Sequence, residues 1–124
     1  MDKLSLITLN VRGLNSSRSD VLFLGGCRHK NASIIFLQET YSTNNLEQVW
    51  SSAWGSKIYF CHGSKHSKGV AILFNPKLRV EIEQQIQSED GRILILRVQV
   101  DDLKLVCANM YTSNGTSSQI IFNI

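Results

Sequence analysis

The stretch SIIFLQET, at residues 33–40, decides the fold of this 124-residue chain. Its apolar run is short and unbroken, which favours a strand buried on both faces, and the run ends at Glu39. A carboxylate at the end of a buried strand costs free energy unless a cation or a hydrogen-bond donor interacts with it. A divalent metal that holds a phosphate is one such partner. For Glu39 alone, an acid that faces water at a strand end is the alternative.

Two further segments repeat this design of a β-prone run that ends in polar residues and a turn. The first is LSLITLNVRGLN at residues 4–15, where the apolar pattern stops at Asn10. The second is LKLVCANMYTSNG at residues 103–115, where it stops near Tyr111. Three buried strands would therefore carry Asn10, Glu39 and Tyr111 at their carboxyl ends. In open α/β sheets, ligands bind at that edge.

The order of the segments predicts an α/β fold. A strand, a helix over residues 18–28 and a second strand form a βαβ unit with parallel strands, and a short helix follows from Asn44 or Asn45. The later pattern is one of consecutive strands, at residues 57–61, 70–74, 79–86, 92–100 and 103–110. Asp90-Gly91 and Asp101-Asp102 are the turn signals between the last of these. The final residues, SQIIFNI at 118–124, look like the first turns of a helix.

Composition indicates one globular domain inside the cell. Hydrophobic residues make up 43% of the chain and charged residues 19%, which is ordinary for a folded protein. No apolar stretch is long enough to cross a membrane and no secretory signal precedes the first strand, so we expect an intracellular protein, with the nucleus as one possible compartment. The three cysteines are widely spaced and predict small buried apolar side chains rather than a zinc or redox site.

The net charge of +3 hides an asymmetry along the chain. Residues 1–79 hold ten Lys or Arg against four acids, whereas residues 80–124 hold three against six. The basic part is interleaved with tryptophan, tyrosine and phenylalanine. This distribution is compatible with a surface that faces a polyanion, and a solvated mixed surface is the alternative.

Four motifs carry a family resemblance. LNVRGLN, FLQET, KGVAILF and ANMYTSN, in this order and at these intervals, resemble the endonuclease/exonuclease/phosphatase superfamily. The likeness is greatest to the apurinic-endonuclease-like branch found in non-LTR retrotransposons. It implies a four-layered α/β sandwich of two central mixed β-sheets flanked by helices. Residues 1–124 would form the amino-terminal half of that domain, truncated at the carboxyl end.

The resemblance implies a Mg²⁺-dependent phosphodiesterase that nicks DNA. Glu39 matches the metal-binding glutamate of the family, and its hard carboxylate oxygen suits Mg²⁺. Asn10 matches the asparagine that orients metal ligands or a phosphate oxygen. Tyr111 matches the tyrosine near the scissile phosphate, where a phenol can donate to developing charge.

The chain departs from the family pattern in two ways. Arg12 replaces a short acidic or amide residue, and a cation there would contact phosphate rather than metal. The Gly-Asp-Phe-Asn motif, a later aspartate and the Ser-Asp-His-type motif with the general base have no counterpart and would lie beyond Ile124. None of the three histidines follows an aspartate, so none replaces that base.

The loop CHGSKHSKG, at residues 61–69, is a candidate for nucleic-acid contact through Lys65 and Lys68, together with Arg12. His62 and His66 suggest a zinc pair, but the glycine and serine between them favour a loop. A phosphatase or phospholipase of the same superfamily remains an alternative. A non-catalytic nucleic-acid-binding fragment or a pseudogene product is another.

Overall fold

The computed structural model describes residues 4–13, 17–64, 67–112 and 116–123, without the side chains of residues 17 and 18. A 3-10 turn at Asn44–Leu46 precedes the second helix. In chain order the elements are β1 (Leu6–Asn10), α1 (Ser17–His29), β2 (Ile34–Gln38), α2 (Glu47–Trp54), β3 (Ile58–Cys61), β4 (Val70–Phe74), β5 (Val80–Gln87), β6 (Ile93–Val100), β7 (Leu103–Tyr111) and β8 (Ser117–Asn123).

The strands form two four-stranded sheets. The first has the order β1-β2-β4-β3; β1 and β2 run parallel, and β4 is antiparallel to β2 and β3. The second has the order β5-β6-β7-β8 and is antiparallel throughout. In the first sheet Asn10 lies opposite Gln38, which in turn lies opposite Val70. The ends of β1 and β2 and the start of β4 therefore meet at one edge.

The two sheets pack face to face around an apolar core. In β6 the side chains alternate, so that Leu94, Leu96, Val98 and Val100 are fully buried against the first sheet. All five residues of β2 are buried, because the two helices cover its other face. The predicted α/β sandwich with a strand buried on both faces is confirmed. The three cysteines are free and buried, as the sequence predicts.

The helices α1 and α2 cover the outer face of the first sheet through two buried tryptophans. The indole N–H of Trp50 donates to Asp20 Oδ2 at 2.8 Å, and that of Trp54 donates to the carbonyl oxygen of Phe74 at 2.9 Å. Burial raises the pKa of the Asp20 carboxyl, and the bond from Trp50 opposes that rise in part. Within the described residues Asp20 Oδ1 has no hydrogen-bond partner.

Residues 118–123 do not form a helix, so the helix predicted for 118–124 is wrong over the described residues. Ser117–Asn123 forms β8, which pairs antiparallel with β7 from Tyr111 back to Leu105. Gln119 and Ile121 are partly buried, whereas Ile120 and Phe122 are exposed, which is the period of two expected of a strand. The free edge of β7 supplies backbone partners that the short sequence segment does not reveal by itself.

The outer face of the second sheet is unusually apolar. Four of the exposed large hydrophobic side chains of the described residues lie on it, between 37% and 51% exposed: Ile86, Ile93, Ile120 and Phe122. An antiparallel sheet that faces water normally alternates apolar and polar residues. Within the described part of the chain no helix covers this face.

Candidate active site

The three predicted site residues come from two sheets. Asn10 is the last residue of β1, Glu39 follows the last residue of β2, and Tyr111 is the last residue of β7. Because β1 and β2 are parallel neighbours, the first two lie at the same edge of the first sheet. Tyr111 lies at this edge on the second sheet, near enough for the Glu39 charge to raise the pKa of its phenol. The structure thus places Tyr111 close to Glu39.

The chain after β1 is tied to the chain after β2 by backbone hydrogen bonds. The amide of Val11 donates to the carbonyl of Gln38 at 3.0 Å, and that of Gly13 donates to the carbonyl of Glu39 at 2.6 Å. Asn10 is exposed, and its Oδ1 accepts the amide of Arg12 at 3.2 Å. The Asn10 side chain therefore shapes this loop as well as lining the edge.

Left-handed backbone conformations cluster at this edge. Outside glycine, the described residues with positive φ number six, and four of them lie here: Arg12 (49°), Glu39 (54°), Tyr41 (52°) and Lys68 (64°). Each such conformation costs an L-residue about 1–2 kcal/mol and persists only where the surroundings enforce it. Strained backbone of this kind concentrates at functional sites, which favours the edge as the active site.

The pKa of Tyr111 is raised above that of an ordinary tyrosine. Burial is the largest cause, followed by the negative charge of nearby Glu39, while the charge of Arg92 acts in the opposite direction. Like an ordinary tyrosine the phenol is protonated at neutral pH, and the raised pKa extends that state to higher pH. A protonated phenol can donate a hydrogen bond, whereas a phenolate cannot.

Asn109 joins the two sheets behind the site. Its Nδ2 donates across the sheet interface to the carbonyls of Leu37 and Ala71, at 3.0 and 2.9 Å. Its Oδ1 accepts from Gln38 Nε2 at 3.1 Å and Gln119 Nε2 at 3.3 Å. The side chain is fully buried, and both its donors and its acceptor are used. No local sequence pattern indicates these contacts, two of which join Asn109 to Gln38 and Leu37, 71 and 72 positions away.

The cations predicted to contact nucleic acid differ in position. The Arg12 side chain is exposed beside Asn10, and Lys68 is half-buried, its carbonyl accepting the amide of Tyr41 at 2.9 Å. The pKa of Asp90 is lowered by its hydrogen bond with Ser88, with smaller contributions from nearby cations that include Lys68. Lys65 and His66 lie outside the described residues. His62 lies in the loop after β3, bonded to Ser42 and Glu47, so a zinc pair finds no support in its contacts.

The donor set at this edge fits Mg²⁺. Glu39 is half-buried and offers a hard carboxylate oxygen, and Asn10 adds an exposed amide beside it. Mg²⁺ is commonly held by one or two carboxylates while it retains several waters. In the described part of the chain no cluster of three His, Cys, Asp or Glu side chains forms a larger ligand set. The residues present would therefore supply part of a coordination shell.

Comparison with known proteins gives one consistent result. The model of the family described as the Endonuclease/Exonuclease/phosphatase family matches residues 7–118. The Transposon TX1 uncharacterized 149 kDa protein of Xenopus laevis is 32% identical over 108 residues, which is 87% of this chain and 8% of that protein. The chain thus spans a small fraction of the length of this relative.

Two solved structures share the fold. One is a humanized TDP2 of D. rerio with 14 mutations, with a TM-score of 0.60 and 23% identity, covering 90% of this chain and 49% of that one. The other is an AP endonuclease from Archaeoglobus fulgidus, with a TM-score of 0.51 and 19% identity, covering 84% of this chain and 40% of that one. Both are matched over less than half of their length. None of the helices in the described residues is long and apolar enough to cross a membrane.

Proposed function

Because the chain belongs to the endonuclease/exonuclease/phosphatase family, we propose that it forms the amino-terminal half of a Mg²⁺-dependent, DNA-nicking endonuclease domain of a retrotransposon. The observation that carries this proposal is that Asn10 and Glu39 close two neighbouring parallel strands at a strained sheet edge, with Tyr111 nearby on the second sheet. The transposon relative and the AP endonuclease fold support DNA as the substrate.

Each residue of the edge has a role in this proposal. Glu39 and the Asn10 amide hold Mg²⁺, which when bound neutralises charge on the scissile phosphate. Tyr111, a protonated phenol at neutral pH, donates its one O–H to a phosphate oxygen as charge develops there. Arg12 and Lys68 contact neighbouring phosphates of the DNA strand. In this proposal water attacks the scissile phosphorus in line with the leaving oxygen, so the P–O bond to one strand end breaks as the bond to water forms.

The general base belongs to the other half of the family fold. Without such a base, activation of the attacking water loses a factor of roughly 10²–10⁴ in rate. We therefore propose that activity requires the completed domain, meaning this chain joined to the carboxyl-terminal half of the fold in a longer protein. The 49% and 40% coverage of the two solved structures supports this division.

A nicking assay on supercoiled DNA tests the proposal. In the completed domain, Glu39→Ala should lower the Mg²⁺-dependent nicking rate by about 10²-fold or more, because loss of a metal ligand removes several kcal/mol of charge stabilisation. Glu81→Ala is the matched control, since Glu81 is an exposed acid on β5 in the second sheet. Full nicking activity of the Glu39→Ala variant at the same Mg²⁺ concentration would contradict the assignment of Glu39 as a metal ligand.

The same preparation separates the other functions. Hydrolysis of a phosphomonoester or a phospholipid in place of DNA, lost in Glu39→Ala, would identify a phosphatase or phospholipase on the same scaffold. Salt-sensitive DNA binding without hydrolysis of any of these substrates would identify a non-catalytic nucleic-acid-binding protein. Both outcomes would overturn the endonuclease proposal.

A further inference from the structure

A chain of four side chains runs from the surface to the residue beside Glu39. Glu47 Oε2 lies 2.6 Å from His62 Nε2, and His62 Nδ1 lies 2.9 Å from Ser42 Oγ. Ser42 Oγ lies 2.8 Å from Thr40 Oγ1, which also accepts the amide of Ser42 at 3.3 Å. From the sequence alone His62 is a candidate only for a zinc pair with His66, whereas these contacts give it a different set of partners.

When the His62 ring is neutral, the hydrogen bonds of these four side chains run in one direction, from Thr40 to Glu47. An ionised carboxylate only accepts, so His62 Nε2 donates to Glu47. In the neutral ring Nδ1 then accepts from the hydroxyl of Ser42, whose oxygen accepts from the hydroxyl of Thr40. Every polar atom of the two buried hydroxyl groups is thereby used. Buried hydroxyl groups without such partners would cost about 1–3 kcal/mol each.

Burial excludes a catalytic triad in these residues. Serine, histidine and a carboxylate in sequence resemble the nucleophile, base and orienting acid of a hydrolase. However, Ser42 is 0% exposed and Thr40 is 1% exposed, so the Ser42 oxygen cannot reach a substrate. The His62 ring is also stacked on the buried Phe60, with centroids 4.8 Å apart, which fixes its plane. The group therefore runs from an exposed carboxylate, Glu47, to two buried hydroxyl groups that no substrate reaches.

Thr40 is held from several sides. Its amide donates to the carbonyl of Gly69 at 3.1 Å, and its hydroxyl fits against Gly69 so closely that a Cβ at that position would collide with it. Gly69 has a φ of 95°, a conformation that favours glycine. The residues on either side, Glu39 and Tyr41, both have left-handed backbones. Fixing Thr40 therefore fixes the conformation from which the Glu39 carboxylate projects.

We propose that Glu47, His62, Ser42 and Thr40 form a positioning relay that holds the segment 39–41 in its left-handed conformation, so that Glu39 is preorganised for Mg²⁺. This inference rests on the proposed metal-binding role of Glu39. His62 is a positioning residue in it and touches neither metal nor substrate. Groups that orient a metal ligand typically contribute 10–100-fold to metal affinity.

Substitution of His62 tests the relay in the completed domain. His62→Phe keeps a ring to stack on Phe60 but removes both nitrogens, and we expect the dissociation constant for Mg²⁺, measured by calorimetry without DNA, to rise about tenfold or more. Hydrogen exchange without metal should show faster exchange of the Thr40 and Tyr41 amides. Gln48→Ala, a neighbouring exposed position on α2, is the matched control and should change neither quantity.

Two variants of Glu47 keep the test decisive if His62→Phe does not fold. Glu47→Gln retains an acceptor for His62 Nε2 and should stay close to wild type, whereas Glu47→Ala should weaken Mg²⁺ binding and expose the same two amides. Rescue by glutamine supports the relay. A Mg²⁺ affinity within twofold of wild type in both His62→Phe and Glu47→Ala overturns it, even if thermal stability falls. Weaker Mg²⁺ binding with unchanged exchange at Thr40 and Tyr41 also overturns it.

The controls separate this inference from the function proposed above. If Glu39→Ala leaves Mg²⁺ binding unchanged, Glu39 is not a metal ligand, and both the proposed function and the relay's role toward metal fail. If Glu39→Ala abolishes Mg²⁺ binding while the His62 and Glu47 variants bind normally, only the relay fails.

Discussion

Replacement of Asn109 by alanine should weaken the attachment of the two sheets to each other at the end that carries Glu39 and Tyr111. The substitution removes two donated and two accepted hydrogen bonds from a fully buried position. Gln38 keeps its bond to Thr8, and Gln119 is only partly buried. The larger loss therefore falls on the carbonyl groups of Leu37 and Ala71.

The magnitude follows from these two carbonyls and from the vacated space. Loss of a partner for a buried polar group costs about 1–3 kcal/mol, and the lower end applies here because backbone carbonyls have a second lone pair. With the small cavity left by the amide, we expect Asn109→Ala to lower the free energy of unfolding of the completed domain by about 3 kcal/mol. Mg²⁺-dependent nicking should fall with it, because Tyr111 loses its fixed approach to Glu39.

Urea unfolding followed by tryptophan fluorescence measures the change, since Trp50 and Trp54 are both buried in the native state. Asn123→Ala, at an exposed asparagine on β8, is the matched control and should change the free energy of unfolding by less than about 0.5 kcal/mol. A loss below about 1 kcal/mol for Asn109→Ala would refute the claim that this side chain joins the sheets.

Three further predictions concern charge, pH and the isolated chain. Lys65→Ala combined with Lys68→Ala should weaken DNA binding by the completed domain and reduce the slope of log affinity against log salt by up to about one unit per lost contact; an unchanged slope would place this loop away from DNA. Because burial raises the pKa of Asp20 above 3.8, the folded state holds this proton more tightly, so stability should fall as pH rises through the interval above 3.8. Asp20→Asn can still accept the Trp50 N–H but does not titrate, so it should remove this contribution to the fall in stability with pH. The free energy of unfolding, measured with urea between about pH 4 and 7, should therefore fall less steeply in the variant; the same slope in both proteins would contradict the prediction. The 124-residue chain alone should aggregate and show no nicking, because the outer face of the second sheet is apolar and exposed; cooperative thermal unfolding of an active monomer, with activity lost in Glu39→Ala, would contradict this.

Local patterns in the sequence were sufficient for most of the fold. The run at residues 70–74 forms β4 as predicted, and the turns at Asp90-Gly91 and Asp101-Asp102 join β5 to β6 and β6 to β7. Apolar runs and turn residues are local signals, so one sequence reveals them. The end of the chain was predicted wrongly because a short apolar segment fits either a helix or a strand, and its pairing with β7 decides between them.

The candidate site was predictable only in outline. Strand ends placed Asn10, Glu39 and Tyr111 at one edge, since polar residues that close apolar runs are visible in the sequence. The hydrogen bonds of Asn109 and His62 were not predictable, because they join residues 10 to 72 positions apart. Those of Asn109 depend on how the two sheets pack, and those of His62 on how α2 meets the loops after β2 and β3. Hydrophobic periodicity encodes neither.

The hydrogen bonding of Asn109 constrains how this sequence can diverge. Its four partners come from β2, β4 and β8. Two of them donate to its oxygen and two accept from its nitrogen, so together they require an amide in one orientation at this position. Substitution by aspartate would place a carboxylate oxygen next to the carbonyl oxygens of Leu37 and Ala71, which repel it. Substitution by leucine would remove the hydrogen-bond partner of Gln119 and of both carbonyls. Lineages that lose Asn109 should therefore also change Gln38 and Gln119, so that the three positions covary while the apolar positions around them exchange freely.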